Sequence, residues 1–196
     1  MASVLKEAAF QKRLLWLNGS IPALMLLFDF STGRLGANPP EAIIRTTGIV
    51  AIVFLVLTLA VSPIAHIWKQ TWLVKHRRWL GLWSFYYALM HLLSYSVFDK
   101  ELKVASIAED IAERPFILLG FLGFVMMIPL AITSTNDMIK KLGAKRWRNL
   151  HKLTFAVAPI VALHFFLIVK SDIFWPVVFA VLFALVLAYR LAKKVA

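Results

Sequence analysis

Residues 47–65 read TGIVAIVFLVLTLAVSPIA and contain no charged side chain. At about 1.5 Å per residue, a helix of this length spans roughly 28 Å, close to the hydrocarbon thickness of a bilayer. Five further apolar blocks of similar length share this character. They are Leu14–Phe30, Trp79–Phe98, Pro115–Thr133, Leu153–Val169 and Ile173–Tyr189. The sequence therefore predicts an all-α integral membrane bundle of six transmembrane helices.

The first block is the least regular of the six. Asn18, Gly19, Ser20 and Pro22 interrupt its apolar run. Polar and helix-breaking residues are tolerated in a membrane helix only where other groups satisfy the backbone. Two alternatives remain for this block, a bent transmembrane helix and an interfacial one.

Composition supports a membrane domain and excludes several chemistries. The chain is 61% hydrophobic with a mean hydropathy of +0.77, whereas soluble domains are about 45–50% apolar. Its 196 residues are expected to form a single domain, 1–196. The sequence has no cysteine, which excludes disulfides, iron–sulfur clusters, thiol catalysis and covalently attached haem.

The net charge of +12 lies between the apolar blocks and is unevenly divided. Nucleic-acid binding is not expected, because no basic helix or stacking-aromatic motif accompanies the charge. Contact with anionic lipid is expected instead. One side of the membrane receives sixteen basic residues: Lys6, Lys12, Arg13, Lys69, Lys75, Arg77, Arg78, Lys140, Lys141, Lys145, Arg146, Arg148, Lys152, Arg190, Lys193 and Lys194. The other receives six: Arg34, Arg45, Lys100, Lys103, Arg114 and Lys170. This bias places both termini in the cytoplasm.

The connection Asp99–Glu113 carries most acids of the less basic side and is its longest loop. Long loops on a rigid scaffold frequently carry binding residues. We expect this loop to contact a partner protein on the side opposite the cytoplasm.

The five histidines differ in predicted depth. His66 and His76 lie at the ends of apolar blocks beside basic residues, and we expect them at the interface. His91 lies thirteen residues beyond Arg78, about 20 Å along a helix, and His164 lies at a similar depth in its own block. Imidazoles at one depth on neighbouring helices suit axial ligation of one haem iron through Nε2.

Small residues on the face of His91 are consistent with a cofactor site. Gly81, Ser84, Ala88, His91 and Tyr95 recur at helical spacing. Such a stripe leaves room for a flat macrocycle. It serves equally for close helix packing in a membrane bundle.

His151 is a third candidate ligand. It precedes His164 by thirteen residues, about 20 Å along a helix, which is enough for a second haem at another depth. On an ideal helix the two side chains face different directions, although a kink at Pro159 could realign them. A second haem needs a ligand opposite His151, and His76 is the candidate.

Arg77 and Arg78 are candidate cofactor contacts beside these histidines. With Lys145, Arg146 and Arg148 they could bind haem propionates or a flavin phosphate. The alternative is that this basic group is solvated and only sets the topology.

Several segments are similar to the MsrQ family, formerly called YedZ, in matching order from about residue 18 to residue 190. They are LGANP (35–39), RRWLGLW (77–83), LMHLLSY (89–95), LAITST (130–135), KLG (141–143), WRNLH (147–151) and HF (164–165). The resemblance implies a ferric-reductase-like membrane domain that binds b-type haem, one or two, between its helices. His91, His151 and His164 match the haem-ligand positions of the family.

The resemblance also implies a role and partners. Family members pass electrons from quinone or a cytosolic flavin reductase across the bacterial inner membrane to MsrP. MsrP is a periplasmic molybdoenzyme that reduces methionine sulfoxide in oxidised proteins. Some members are associated with FMN, which makes FMN a second expected cofactor. The chain has no dinucleotide fingerprint, and we therefore expect an electron-transfer subunit without catalytic residues of its own.

Two functions of other classes compete with this hypothesis. His91, His151 and His164 could form the relay of a proton or metal transporter, although the sequence places no acidic residue inside the last five blocks. Alternatively, the chain could be a passive membrane anchor for a partner enzyme, which would leave its buried histidines without a purpose.

Overall fold

The computed structural model describes residues 8–193, which form helices and contain no strand. The α-helices are α1 (Ala8–Ser31), α2 (Pro39–Ile67), α3 (Arg77–Ser94), α4 (Val104–Glu113), α5 (Pro115–Ile132), α6 (Asn136–Leu142), α7 (Ala144–His151), α8 (Thr154–Ile168) and α9 (Phe174–Lys193). A 3₁₀ segment, Thr71–His76, precedes α3, and a π-helical segment, Tyr95–Asp99, follows it. The predicted all-α fold is confirmed. Lys6 and Lys194, which contribute to the predicted charge bias, lie outside the described residues.

Local sequence signals set where the long helices begin. The Asn38 side chain accepts a hydrogen bond from the backbone N–H of Glu41, and Pro39 occupies the first position of α2. Pro115 likewise opens α5. A side-chain cap satisfies an otherwise unpaired N–H, and proline at the first helical position has no N–H to leave unpaired.

Within residues 8–193, five helical segments are long and apolar enough to cross a membrane. They are Phe10–Ser31, Pro39–Ile67, Pro115–Ile132, Ala144–Ile168 and Phe174–Lys193. Each coincides with a predicted apolar block. The block Trp79–Phe98 corresponds mainly to α3, which is not among the five because two arginines, a histidine and several hydroxyl groups lower its hydropathy. A sixth crossing remains a prediction.

The bundle is organised around α2, which packs along α3 and also contacts α8 and α9, while α5 packs along α8. Leu55, Leu59, Val157 and Phe183 are core residues between these helices. Large apolar side chains also point outward, such as Met25 and Leu185, each more than 60% exposed. An apolar exterior of this kind is suited to lipid.

The Tyr87 side chain satisfies backbone groups of α1 near the residues that interrupt the first apolar block. Its hydroxyl donates to the carbonyl oxygen of Gly19 at 2.7 Å and accepts from the N–H of Ala23 at 3.0 Å. The hydroxyl therefore stands between two groups that would pair directly in a regular helix, and α1 continues past Pro22. A Cβ at Gly19 would lie 2.1 Å from the Trp83 ring, which explains a glycine at this position.

The connection predicted as a long loop, Asp99–Glu113, contains α4. Ile107 and Ile111, one turn apart, line the interior of the bundle, while Glu109 is exposed. This apolar face makes the segment an amphipathic helix, so the connection predicted as the longest loop of its side is helical over Val104–Glu113.

The helix between His151 and His164 is interrupted before it reaches Pro159. His151 ends α7, and Lys152 and Leu153 form a tight turn before α8. The N–H of Phe155 bonds the carbonyl of Lys152, three residues back. Pro159 lies inside α8. The two histidines therefore belong to separate helices.

Candidate functional site

Two cavities open inside the bundle, one toward each end. The α4-end cavity has a volume of about 970 Å³ and is lined by His91, His164 and the inner faces of α2, α4 and α5. The basic-end cavity has a volume of about 1070 Å³ and lies among the first turns of α3, the last turns of α5 and α9, and α7. Cofactor pockets typically measure about 300–1,000 Å³, so each is large enough for an organic cofactor.

Each of the two deep histidines packs against a neighbouring helix. A backbone carbonyl of that helix bonds the imidazole, and a glycine of the same helix leaves room for the ring. His91 Nδ1 lies 2.8 Å from the carbonyl oxygen of Ile44, and a Cβ at Gly48 would approach the His91 ring to 3.0 Å. The same arrangement recurs at His164. Its Nδ1 lies 2.6 Å from the carbonyl oxygen of Phe116, and a Cβ at Gly120 would approach its ring to 2.7 Å.

Each glycine comes four residues after the carbonyl that its partner histidine bonds. A carbonyl oxygen can only accept, so Nδ1 of both His91 and His164 carries the proton. The lone pair of each ring is therefore on Nε2, which is the nitrogen and the tautomer needed for a metal bond.

The ring spacing fits a metal held between the two imidazoles. The centres of the His91 and His164 rings are 6.3 Å apart, with planes at 77°. Two imidazoles sharing one metal at about 2 Å from each nitrogen, with each nitrogen about 1.2 Å from its ring centre, would have ring centres about 6.4 Å apart. Of the residues predicted as a stripe with His91, Ser84, Ala88 and Tyr95 line the same cavity, whereas Gly81 lines the basic-end cavity.

A buried carboxylate ties α4 to the rim of this cavity. Asp110 accepts hydrogen bonds from Lys100 Nζ at 2.5 Å and Tyr95 Oη at 2.6 Å, and Arg114 Nε lies 3.3 Å from its second oxygen. Lys100 and, after it, Tyr95 lower the pKa of Asp110 below its ordinary value. The carboxylate is ionised at neutral pH and fixes the end of α4 against the bundle.

The structure places His151 in the basic-end cavity, turned toward the C-terminus of α5. Thr133 donates its hydroxyl proton to the carbonyl of Pro129, and its Oγ1 lies 3.1 Å from His151 Nε2. Trp147, one turn earlier on α7, stacks on the His151 ring at 3.9 Å and donates to the Thr133 carbonyl. In this arrangement Nε2–H of His151 is the donor, so ligation of iron through Nε2 would require Thr133 to release it.

The other candidate residues lie at the same end of the bundle. Arg77 donates to Ser62 at 3.3 Å and Arg78 to Asn136 at 2.7 Å, and both arginines line the basic-end cavity. His76 packs edge-on against Trp72, and the cavity lining does not include it. Burial and, after it, the charge of Lys75 lower the pKa of His76.

His66 lies apart from both cavities. It is exposed, as predicted, and bonds the Tyr189 hydroxyl at 2.8 Å.

Leu55 and Met127 line both cavities and form the wall between them. Both are core residues of the bundle. Phe85 of the basic-end cavity stacks on Phe124 of the α4-end cavity, with ring centres 5.5 Å apart. The two sites are therefore neighbours within one packed interior.

Sequence reasoning missed the residues that orient the histidines. Gly48 and Gly120 could have been found as glycines near the same ends of their apolar blocks, at the depth of His91 and His164. Thr133, which bonds His151, gives no such signal because its partner comes from a separate helix. Arg190 was assigned only to the cytoplasmic charge bias, yet it is 4% exposed and lines the basic-end cavity.

Comparisons with known proteins identify the family. Residues 47–163 match the family described as ferric reductase like transmembrane component. The chain is 44% identical to the protein-methionine-sulfoxide reductase heme-binding subunit MsrQ of Polaromonas naphthalenivorans, over 91% of this chain and 83% of that one. The MsrQ proteins of Herminiimonas arsenicoxydans and Brucella ovis are 40% and 43% identical, over 91% and 92% of this chain and 83% and 81% of theirs. With its five membrane-length apolar helices, the chain is a multi-pass membrane protein that belongs to the ferric-reductase-like transmembrane family and, within it, to the MsrQ proteins.

Proposed function

We propose that this chain is the haem-binding, electron-transferring membrane subunit of a methionine sulfoxide reductase system. The observation that carries this proposal is the pair His91 and His164. Their rings are spaced for one metal between them, and backbone carbonyls hold their Nδ1 protons. The MsrQ relatives are heme-binding subunits, which supports the same assignment.

The α4-end cavity would hold a non-covalent, b-type haem, whose iron His91 and His164 would bind. When bound, its iron supplies one-electron redox chemistry. The protein's own contribution is orientation and exclusion of water. The carbonyls of Ile44 and Phe116 fix the tautomer and direction of each imidazole, and Gly48 and Gly120 give the rings room to approach α2 and α5.

A second cofactor belongs in the basic-end cavity. His151 is the proposed iron ligand if this cofactor is a second haem, provided that its Nε2 leaves Thr133. Among the described residues, His151 is the one histidine that lines this cavity. Arg77 and Arg78 are placed to meet propionates or, if the cofactor is FMN, its phosphate.

Electrons enter at the basic end and leave at the α4 end. The positive-inside bias puts the basic end in the cytoplasm of a bacterial cell, with both termini there and α3 as a sixth crossing of the inner membrane. A quinone or a cytosolic flavin reductase supplies the electrons. The acceptor is an MsrP-like periplasmic molybdoenzyme, which docks on the acidic connection that contains α4.

The haem-to-protein ratio of each histidine variant tests the haem assignment. We expect His91→Ala and His164→Ala each to remove the absorbance of the same haem, because either change removes one of the two imidazoles that would hold it. His66→Ala, which alters an exposed histidine outside both cavities, is the matched control. Reducible bands unchanged in both ligand variants, or histidine-dependent ion flux by a protein without chromophore, would refute the proposal.

Charge reversal tests the docking surface. Glu109→Lys with Glu113→Lys changes two exposed carboxylates of α4, and we expect electron delivery to the purified periplasmic reductase to slow at least tenfold at low ionic strength. Asp137→Lys, an exposed acid at the basic end, should leave the rate unchanged. Equal rates in all three proteins would contradict docking on α4.

A further inference from the structure

Arg190 is a buried cation that pairs with no carboxylate among residues 8–193. It lies near the end of α9, is 4% exposed and lines the basic-end cavity. Its Nε, Nη1 and Nη2 have no hydrogen-bond partner within residues 8–193. Its guanidinium carbon lies 5.2 Å from the centre of the Phe155 ring. That contact satisfies none of the five N–H donors, and burying an unpaired charge is strongly unfavourable.

The surroundings of Arg190 increase this cost. Six other residues that line the basic-end cavity are Lys or Arg, and none of the described lining residues is Asp or Glu. Arg77 is near enough for its positive charge to act on Arg190. Within residues 8–193, the charged side chains that line this cavity therefore repel the Arg190 guanidinium, and none of them compensates its charge.

We propose that Arg190 is an anion receptor, which binds the phosphate or carboxylate group of a ligand that enters the basic-end cavity. A guanidinium presents paired N–H donors that match the oxygens of either group, and burial strengthens such charge-assisted hydrogen bonds. Arg77, at the start of α3, lines the same cavity and is the second positive charge available to the anion. The ligand would satisfy the donors that the protein leaves open and neutralise the excess charge of the cavity.

Three sources can present this chemistry at the basic end. They are a soluble phosphate compound, the phosphate of a lipid headgroup and the carboxylates of a second haem. Each would place two or more anionic oxygens at Arg190. The site itself does not depend on the haem proposed for His91 and His164, because it lies across the wall formed by Leu55 and Met127.

The test compares the full-length protein with Arg190→Gln and with Arg146→Gln, purified in detergent. Arg146 lies on α7, at the same end of the bundle, but it is exposed and does not line the cavity. Thermal unfolding is followed by tryptophan fluorescence while inorganic phosphate replaces chloride at constant ionic strength. We expect phosphate to raise the midpoint saturably in wild type and Arg146→Gln. Arg190→Gln should need at least tenfold more phosphate for the same shift.

A second measurement identifies the source if the site is already filled on purification. Haem, phospholipid and soluble phosphate compounds released from each protein are quantified by absorbance and mass spectrometry. A ligand retained by wild type and Arg146→Gln but lost from Arg190→Gln supports the proposal and names its source. Arg77→Gln, which leaves Arg190 in place, is the second variant if Arg190→Gln does not fold, and it should weaken the phosphate response severalfold.

The proposal is overturned if wild type and Arg190→Gln, or Arg77→Gln in its place, retain the same ligands and respond equally to phosphate. The absorbance due to His91 and His164 is read on the same samples. Loss of that absorbance would concern the proposed haem, whereas an unchanged phosphate response would concern Arg190 alone.

Discussion

His91 and His164 reach the α4-end cavity from different helices, yet the same backbone arrangement orients both imidazole rings. In each case a helix carbonyl accepts the Nδ1 proton, and the glycine four residues later opens the space in which the ring lies. A ligating histidine is commonly oriented by such a second hydrogen bond. Because the support comes from backbone, only the glycine can be altered by a side-chain substitution without changing the histidine itself.

Gly120→Ala tests this support directly. The added methyl would lie 2.7 Å from His164 Cε1 and 2.9 Å from Nδ1, so the ring must move and its bond to Phe116 must lengthen. We expect at least tenfold weaker haem retention, measured as the haem-to-protein ratio after washing. Gly123→Ala is the control, since its nearest neighbour is a Val161 methyl at 3.1 Å. Equal haem content in the two variants would show that Gly120 does not position His164.

At the scale of elements, short-range patterns predicted the apolar segments long enough to cross a bilayer. They did not predict features that depend on contacts with other helices. Apolar length alone located the five membrane-length segments. The interruption at Lys152 and Leu153 was not predictable, because α7 is held by bonds from Trp147 and His151 to Thr133, at the end of α5. The continuity of α1 past Pro22 also depends on a distant group, the Tyr87 hydroxyl. Such contacts leave no periodic trace in the sequence.

The attachment of α4 should depend on the charge of Asp110. Asp110→Asn removes the anion that Lys100 and Tyr95 contact, and we expect it to lower the free energy of unfolding by about 1–3 kcal/mol at neutral pH. The folded-state pKa of Asp110 is lowered, so its contribution is complete above about pH 4 and is lost as the pH falls through the folded-state value.

Thermal unfolding of wild type and Asp110→Asn at neutral and acidic pH measures this effect. The difference between their midpoints should narrow on acidification. Glu109→Gln, which changes the exposed neighbour, should match wild type at both pH values. A difference between wild type and Asp110→Asn that does not depend on pH would exclude the charge as its cause.

For the whole molecule, composition and charge predicted an all-helical membrane protein, and the resemblance predicted its family. Helical rise also placed His91 and His164 at one depth, where the structure shows their rings 6.3 Å apart. The anion-receptor candidate was not predictable. Arg190 is indistinguishable in sequence from the other terminal cations, and only the packing of α9 against its neighbours buries it.

The absence of cysteine makes the orientation directly measurable, because any introduced thiol is unique. Gln70→Cys and Val104→Cys place exposed thiols on either side of α3. In intact spheroplasts we expect a membrane-impermeant maleimide to label position 104, and to label position 70 only after permeabilisation. Lys145→Cys, at the basic end, is the control and should behave like position 70. Labelling of positions 70 and 104 from the same side would mean that α3 does not cross.

The wall shared by the two cavities couples the shape of one cavity to the occupancy of the other. Leu55 and Met127 each line both cavities. A methionine side chain changes its conformation more readily than a branched side chain does. A ligand in one cavity that displaces the Leu55 or Met127 side chain alters the shape of the other cavity. The absorbance of a cofactor bound in one cavity should therefore change when a ligand binds in the other.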